Sequence, residues 1–239
     1  CPACSSTAPR DRRTRHGALV ETDGGSLLVD TPPELRLQLI AAGVSAVDAV
    51  WFTHIHADHV HGIDDLRVFT ARRGDVDAYI ASEYREKIAR YFEYIFDEAV
   101  QAAPGSSIPS VKLHELEEGR PVGIVGESFT PLLVPHGPTN VYGFRVGKLG
   151  YITDGKRLPP TTLEALKGVD VLVLNALWFG RPHPSHFNIE EAIEAAREVG
   201  AERTYLTHLT HRVTHAELEE RLPDGVMAAH DGLIVEVPS

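Results

Sequence analysis

Four side chains of metal-ligating types fall within six residues of this chain, in the run His54-Ile55-His56-Ala57-Asp58-His59. Imidazole suits zinc, iron or manganese, and one carboxylate among imidazoles leaves a position open for a hydrolytic water. The preceding run Val47–Thr53 (VDAVWFT) is β-branched and aromatic, which predicts a buried strand. Continued in that extended geometry, residues two apart project to one side, so His54 and His56 can grip one ion together. Asp58 and His59 follow a turn toward Val60–Phe69, a predicted helix, and can face a second ion beside the first. The plainer alternative is a polar loop whose histidines cap a helix; the recurrence of ligand types later in the chain weighs against it.

Three later strands end on such residues. Leu132–Gly137 presents His136, Tyr151–Gly155 presents Asp154, and Tyr205–His208 presents His208. A strand's C-terminal edge is the usual place for a site in a layered α/β fold. Singly, each is an ordinary turn or exposed residue; together with the six-residue run they form a ligand set. Asp30 ends the strand Leu27–Val29 and is a candidate acceptor that orients a ligand imidazole. His186 lies just ahead of a predicted helix, where a capping or surface role is the alternative to an active-site one. His230 competes with His208 as the last ligand, and His61, His183 and His215 are weaker candidates.

The elements that must position these groups alternate in short blocks. A hairpin is predicted at Ala18–Glu21 and Ser26–Val29 around Asp23-Gly24-Gly25, and a helix over Pro33–Ala42 stopped by Gly43. Ser82–Ala102 is the longest predicted helix, with Tyr84, Ile88, Tyr91, Phe92, Ile95 and Phe96 at helical spacing. Its aromatic stretch suits either core or a lid or dimer surface over the site. Strands follow at Val122–Gly126, Ser128–Pro135, Val141–Val146, Gly150–Thr153, Val169–Asn175 and Arg203–Thr207, with a last one at Leu233–Val237. Asn188–Val199 is an amphipathic helix, and Thr214–Glu217 a capping box opening another. Strands then helix, twice, suits an α/β fold of two sheets packed face to face with helices outside.

Composition narrows the function. With 239 residues and 43% apolar content the chain can bury a substantial core. A net charge of −11 argues against general nucleic-acid binding, though metal ions reverse the local potential and admit a small anionic substrate. No apolar run is long enough to span a bilayer, so no membrane partner is expected. Two cysteines at metal-type spacing suit a reducing, cytoplasmic setting better than a disulfide framework. The Cys1-Pro2-Ala3-Cys4 pair reads as metal ligands, or else as a frayed terminus or redox pair.

The order HxHxDH, then His136, Asp154 and His208, resembles that of the metallo-β-lactamase superfamily, from Cys1 to the C-terminus. The resemblance implies a single metallo-β-lactamase-fold domain over residues 1–239, an αββα sandwich of two mixed sheets flanked by helices. It implies that His54, His56 and His136 hold one ion, that Asp58, His59 and His208 hold another, and that Asp154 bridges them. Within the superfamily the chain resembles the PhnP-type phosphodiesterases, on Cys1–Cys4, His183–His186 and His208-Leu209-Thr210-His211. That likeness implies a separate structural zinc held by Cys1, Cys4 and His211, and an active-site role near the substrate phosphate for His186. The family carries a further cysteine two residues upstream, after a Gly-rich first strand. This chain starts too late to show either, so the first strand is expected to be missing or the fourth ligand to differ.

The implied cofactors are two divalent ions, zinc or manganese, beside that structural zinc. A metal pair about 3.5–4 Å apart makes hydroxide from a bridging water near neutral pH and stabilises charge growing on phosphate oxygens. The expected reaction is hydrolysis of a small phosphodiester, cyclic ones included, with Asp58 and His186 as the catalytic groups and His186 as proton donor to the leaving oxygen. A homodimer is a candidate assembly. The competing readings are a transfer-RNA 3′-end nuclease, a lactonase or β-lactamase, and a non-catalytic metal-binding protein resembling PqqB. The first needs a basic RNA-docking extension, and no Lys/Arg-rich insertion is present.

Overall fold

The β-branched and aromatic runs pair as strands in a computed structural model that describes residues 1–238. Two units result, Arg15–Ser128 and Cys1–Thr14 together with the chain from Phe129 onward.

In Arg15–Ser128, β1 (Ala18–Thr22), β2 (Gly25–Val29), β3 (Ala49–Phe52), β4 (Val76–Ala81) and β5 (Val111–Leu116) lie side by side in sequence order. β1 and β2 form the expected hairpin, closed by Thr22 opposite Gly25. A Cβ on Gly24 would stand 2.3 Å from the Val125 carbonyl oxygen, so this turn requires glycine. The remaining pairings are parallel. Parallel central strands are covered on both faces, and β3 is buried along its whole length. Helices make the crossovers: Leu35–Ala41 before β3, and Ser82–Tyr91 between β4 and β5. β6 (Val122–Ile124) is a short strand near the end of this stretch.

The second unit holds β7 (Glu127–His136), β8 (Thr139–Val146), β9 (Leu149–Ile152), β10 (Val171–Asn175), β11 (Arg203–Thr207) and β12 (Val226–Ala228), in the order β12-β11-β10-β9-β8-β7. β7 to β9 pair antiparallel and β9 to β12 parallel, so this sheet is mixed as well. The helix Ile189–Val199 buries Ile189, Ala192, Ala195, Ala196 and Val199 in a cluster with Leu172, Leu174 and Leu206. It opens on a complete Asn188–Glu191 capping box and ends at Gly200 with φ 77°.

Four local expectations change. The predicted helix over Ser82–Ala102 stops at Tyr91, because Phe92 leaves helical geometry at φ −123°, ψ 47°; only a short turn, Glu93–Phe96, follows. Its apolar stripe therefore divides: Tyr84 and Ile88 are buried, Phe92, Ile95 and Phe96 half-buried, and Tyr91 exposed. The predicted helix Val60–Phe69 is instead three pieces, Ala57–Val60, a 3-10 turn at Ile63–Leu66 and Arg67–Arg73, so Asp58 and His59 sit inside a helical turn rather than before one. Leu233–Val237 forms no strand; Val226–Ala228 takes the place beside β11, and Ile234 is exposed. β4 and β5, which the sequence reading did not predict although Val76–Ile80 and Val111–His114 alternate in burial, complete the first sheet.

Candidate metal centre

In Arg15–Ser128 the ends of β2 and β3 are tied by one carboxylate. Asp30 follows β2, fully buried, with φ 61°. It accepts from Thr53 N–H and Thr53 Oγ1, each at 2.8 Å, and lies 2.7 Å from His59 Nδ1. Burial pushes its carboxyl upward, opposed by His59 and the Thr53 donors. Because Asp30 accepts at Nδ1, His59 keeps its Nε2 side for a metal ion, and that nitrogen lies 3.6 Å from Asp58 Oδ2. Aspartate tolerates this left-handed backbone better than most residues, and three donors hold its side chain here. Upstream of the helix Ala57–Val60, buried His54 and exposed His56 bring Nε2 and Nδ1 to 2.9 Å. Thr31 N–H donates to His59 C=O and Gly62 N–H to Thr31 C=O, both at 2.7 Å, which fixes this helix against the turn after β2. A Cβ on Gly62 would meet the Pro32 carbonyl oxygen at 2.1 Å.

In the second unit, His136 closes β7 with its ring buried. Its Nδ1 lies 3.0 Å from the Ser185 carbonyl oxygen. A carbonyl only accepts, so Nδ1 carries the proton and Nε2 keeps its lone pair. Asp154, buried after β9 with φ 57°, gathers three imidazoles: Nε2 of His208 at 3.3 Å, of His186 at 3.5 Å and of His136 at 4.0 Å. Thr153 Oγ1 donates to Asp154 Oδ1 at 2.7 Å. His208 follows β11 and is also left-handed, at φ 56°. Donor atoms of Asp154, His186 and His208 all lie within 4.8 Å of one another. His186 packs at 5.1 Å on the His208 ring, and its Nδ1 lies 3.0 Å from Ser185 Oγ and 3.1 Å from His183 Nδ1. Burial lowers the His186 imidazole below its usual value, against the pull of Asp154 upward.

The donor chemistry of both units suits divalent metal: imidazoles oriented through their second nitrogen and carboxylates that gather several of them. His230 lies elsewhere, against His215 at 5.6 Å, and takes no part in the Asp154 group. His61 faces Phe92. Thr53 and Asn175 escaped sequence reading, although a polar residue closing the apolar run VLVLN was a visible signal.

A third cluster lies in the second unit. His211 Nδ1 is 3.0 Å from Cys1 Sγ, and Cys4 N–H donates to the same sulfur at 3.3 Å. Cys1, Cys4 and His211 are all exposed and offer three ligand atoms within 4.8 Å. Arg13 secures the loop beyond His208 by donating to the Thr210 and Val213 carbonyls at 2.6 and 3.0 Å. Among the described residues no helix is long and apolar enough to cross a membrane.

The sequence profile of the beta-lactamase superfamily domain matches residues 26–209. A solved structure described as a new diphosphatase from the PhnP family is 35% identical, with a TM-score of 0.88 over 99% of this chain and 90% of that one. An octanoyltransferase of Porphyromonas gingivalis is 34% identical over 98% of this chain, which spans only 47% of that protein's length. A ribonuclease Z of Mycobacterium sp. strain KMS is 28% identical over 85% of this chain and 80% of its own.

Proposed function

We propose a phosphoryl-centred hydrolysis from one premise: the chain belongs to the PhnP family of the metallo-β-lactamase superfamily. Its two mixed sheets with their helices are the αββα fold of that superfamily, and the fold implies divalent metal. The finer reading is that a small phosphodiester, cyclic ones included, is cleaved at a two-ion site. Following the superfamily's ligand order, His54, His56 and His136 would hold one ion, Asp58, His59 and His208 the other, and Asp154 both. Cys1, Cys4 and His211 would hold a structural zinc.

Bound ions of this kind make water acidic and neutralise phosphate oxygens. The chain's own residues do the rest. Asp30 holds the His59 ring, and the Ser185 carbonyl holds that of His136, so neither imidazole has to be ordered when substrate arrives. His186 would pass a proton to the departing oxygen; its Nε2 at 3.5 Å from Asp154 and its Nδ1 at 3.0 Å from Ser185 Oγ support that role. This His186–Asp154 placement is the observation that carries the reading: a titratable group beside the carboxylate that gathers the ligand histidines.

A second reading is favoured by the name of the 35% identical relative, a diphosphatase: attack at the phosphorus of a diphosphate uses the same ions and the same proton donor. The octanoyltransferase name belongs to a protein about twice as long, and no acyl transfer is proposed for this chain. The deciding experiment compares rates on metal-quantified protein for a phosphoribosyl cyclic phosphate, nucleoside cyclic phosphates, bis(p-nitrophenyl) phosphate and a nucleoside diphosphate ester. Preference for the first supports the cyclic diester. Preference for the last transfers the assignment to diphosphates, and no turnover on any of them rejects hydrolysis at phosphorus.

A further inference from the structure

Asp154, His186 and His208 stand on loops that follow three different elements, yet all three loops are hydrogen-bonded to one stretch, Asn175–Trp178, at the end of β10. The fully buried Asn175 side chain accepts from Gly155 N–H at 2.6 Å and donates through Nδ2 to Gly155 C=O at 3.1 Å. Both polar ends of one amide thus engage the residue after Asp154. The same Gly155 carbonyl accepts from Phe187 N–H at 2.9 Å, directly after His186, and Leu177 N–H donates to Phe187 C=O at 3.1 Å. Ala176 N–H donates to Thr207 C=O at 2.9 Å, directly before His208, and Leu177 C=O accepts from Thr210 N–H and Oγ1 at 3.2 and 2.9 Å.

We propose that Asn175 is a positioning residue that sets Asp154 against His186 through Gly155. Asp154 holds a left-handed backbone that a side chain disfavours, so its turn needs outside support. A primary amide supplies a donor and an acceptor at once; a carboxylate of the same shape supplies only acceptors, and leucine neither. Burying a polar side chain at the end of an apolar strand is costly unless both ends are satisfied, and Gly155 satisfies them. The close approach also needs glycine: a Cβ there would stand 2.6 Å from Val134 Cγ1. The geometry stands alone, while its consequence for turnover rests on the hydrolase reading above.

The test is site-resolved amide hydrogen exchange on the full chain with its metal complement as isolated, for wild type, Asn175→Ala and Asn175→Asp. The Asp variant keeps the acceptor for Gly155 N–H, loses the donor, and serves on its own if the Ala variant does not fold. Exchange is expected to speed up about 10–100-fold at Gly155 in the Ala variant, where its N–H loses its acceptor, and at Phe187 in both variants, where the Gly155 carbonyl it bonds loses the Asn175 donor, while Val171–Leu174 and the helix Ile189–Val199 keep wild-type rates. In parallel kcat should fall with KM held. Unchanged exchange at Gly155 and Phe187, equal acceleration throughout β10 and the helix, or wild-type kcat in both variants would each overturn the proposal. If the wild type hydrolyses none of the phosphate esters, the hydrolase reading fails, and the exchange comparison still decides whether Asn175 positions this turn.

Discussion

Asp30 Oδ2 lies 2.7 Å from His59 Nδ1, with both side chains fully buried. The contact settles which ring nitrogen of His59 is left for metal, because the carboxylate accepts at Nδ1. Replacing Asp30 with Asn reverses that logic without disturbing the backbone, since asparagine tolerates the left-handed region occupied at φ 61°. Thr53 N–H holds the oxygen at the Oδ1 position, which leaves an NH₂ facing His59. The imidazole must then protonate at Nε2 and lose the lone pair it offers a metal ion. Metal affinity is expected to drop about 10–100-fold. Competition against a calibrated chelator measures it, and an unchanged affinity would show that His59 is not oriented through Asp30.

His186→Ala separates a proton donor from a ligand. His186 lies 3.5 Å from Asp154, close enough for either role. As a proton donor its loss should lower turnover about 10²–10⁴-fold while bound metal stays at the wild-type level. Loss of metal together with turnover would instead make it a ligand, and undiminished turnover would remove it from the reaction.

The parts of this architecture that could be read from residue order are the local ones. His54–His59 advertises itself because four ligand residues fall within six positions after a β-branched run, and His136, Asp154 and His208 because each stands at the end of a predicted strand. Asp30 was readable for the same reason, but its partner Thr53 and its left-handed backbone depend on β2 and β3 lying in register, which no local pattern records. Asn175 is the clearer case: its bonds to Gly155 exist only because β9 and β10 pair in parallel. The break at Phe92 was hidden by helical spacing that runs straight through it. β12 was misplaced because the three residues Val226–Ala228 beside β11 carry less apolar signal than the longer stretch Leu233–Val237, whose Ile234 is exposed.

The cysteine pair gives a third expectation. Cys1 Sγ already touches both His211 Nδ1 and Cys4 N–H, so the loop after β11 and the start of the chain meet at one sulfur. If a zinc ion sits there, Cys1→Ser should lower the zinc content by about one equivalent per chain and lower the melting temperature, because ion binding adds to folding free energy. Elemental analysis beside calorimetry reads both. Wild-type zinc content in Cys1→Ser would leave the sulfur contacts as packing alone.

The same N-terminal segment predicts how stability responds to acid. Burial pushes the Asp11 carboxyl upward, but the Ser6 side chain, His215 N–H at 2.6 Å and the Arg13 guanidinium at 3.6 Å outweigh it and hold Asp11 below the usual carboxylate value. A carboxylate depressed in the folded state binds its proton more readily once unfolded. Its stabilisation is therefore complete above the unfolded value of about 3.9 and is lost as pH falls through the lower folded value. Asp11→Asn should melt below wild type at neutral pH, and the gap should close on acidification past that window. Melting temperatures of the two proteins from pH 7 down to about pH 3 measure it. A gap that stays constant across the range would mean that the charge of Asp11 contributes nothing and that its hydrogen-bond geometry alone holds the segment.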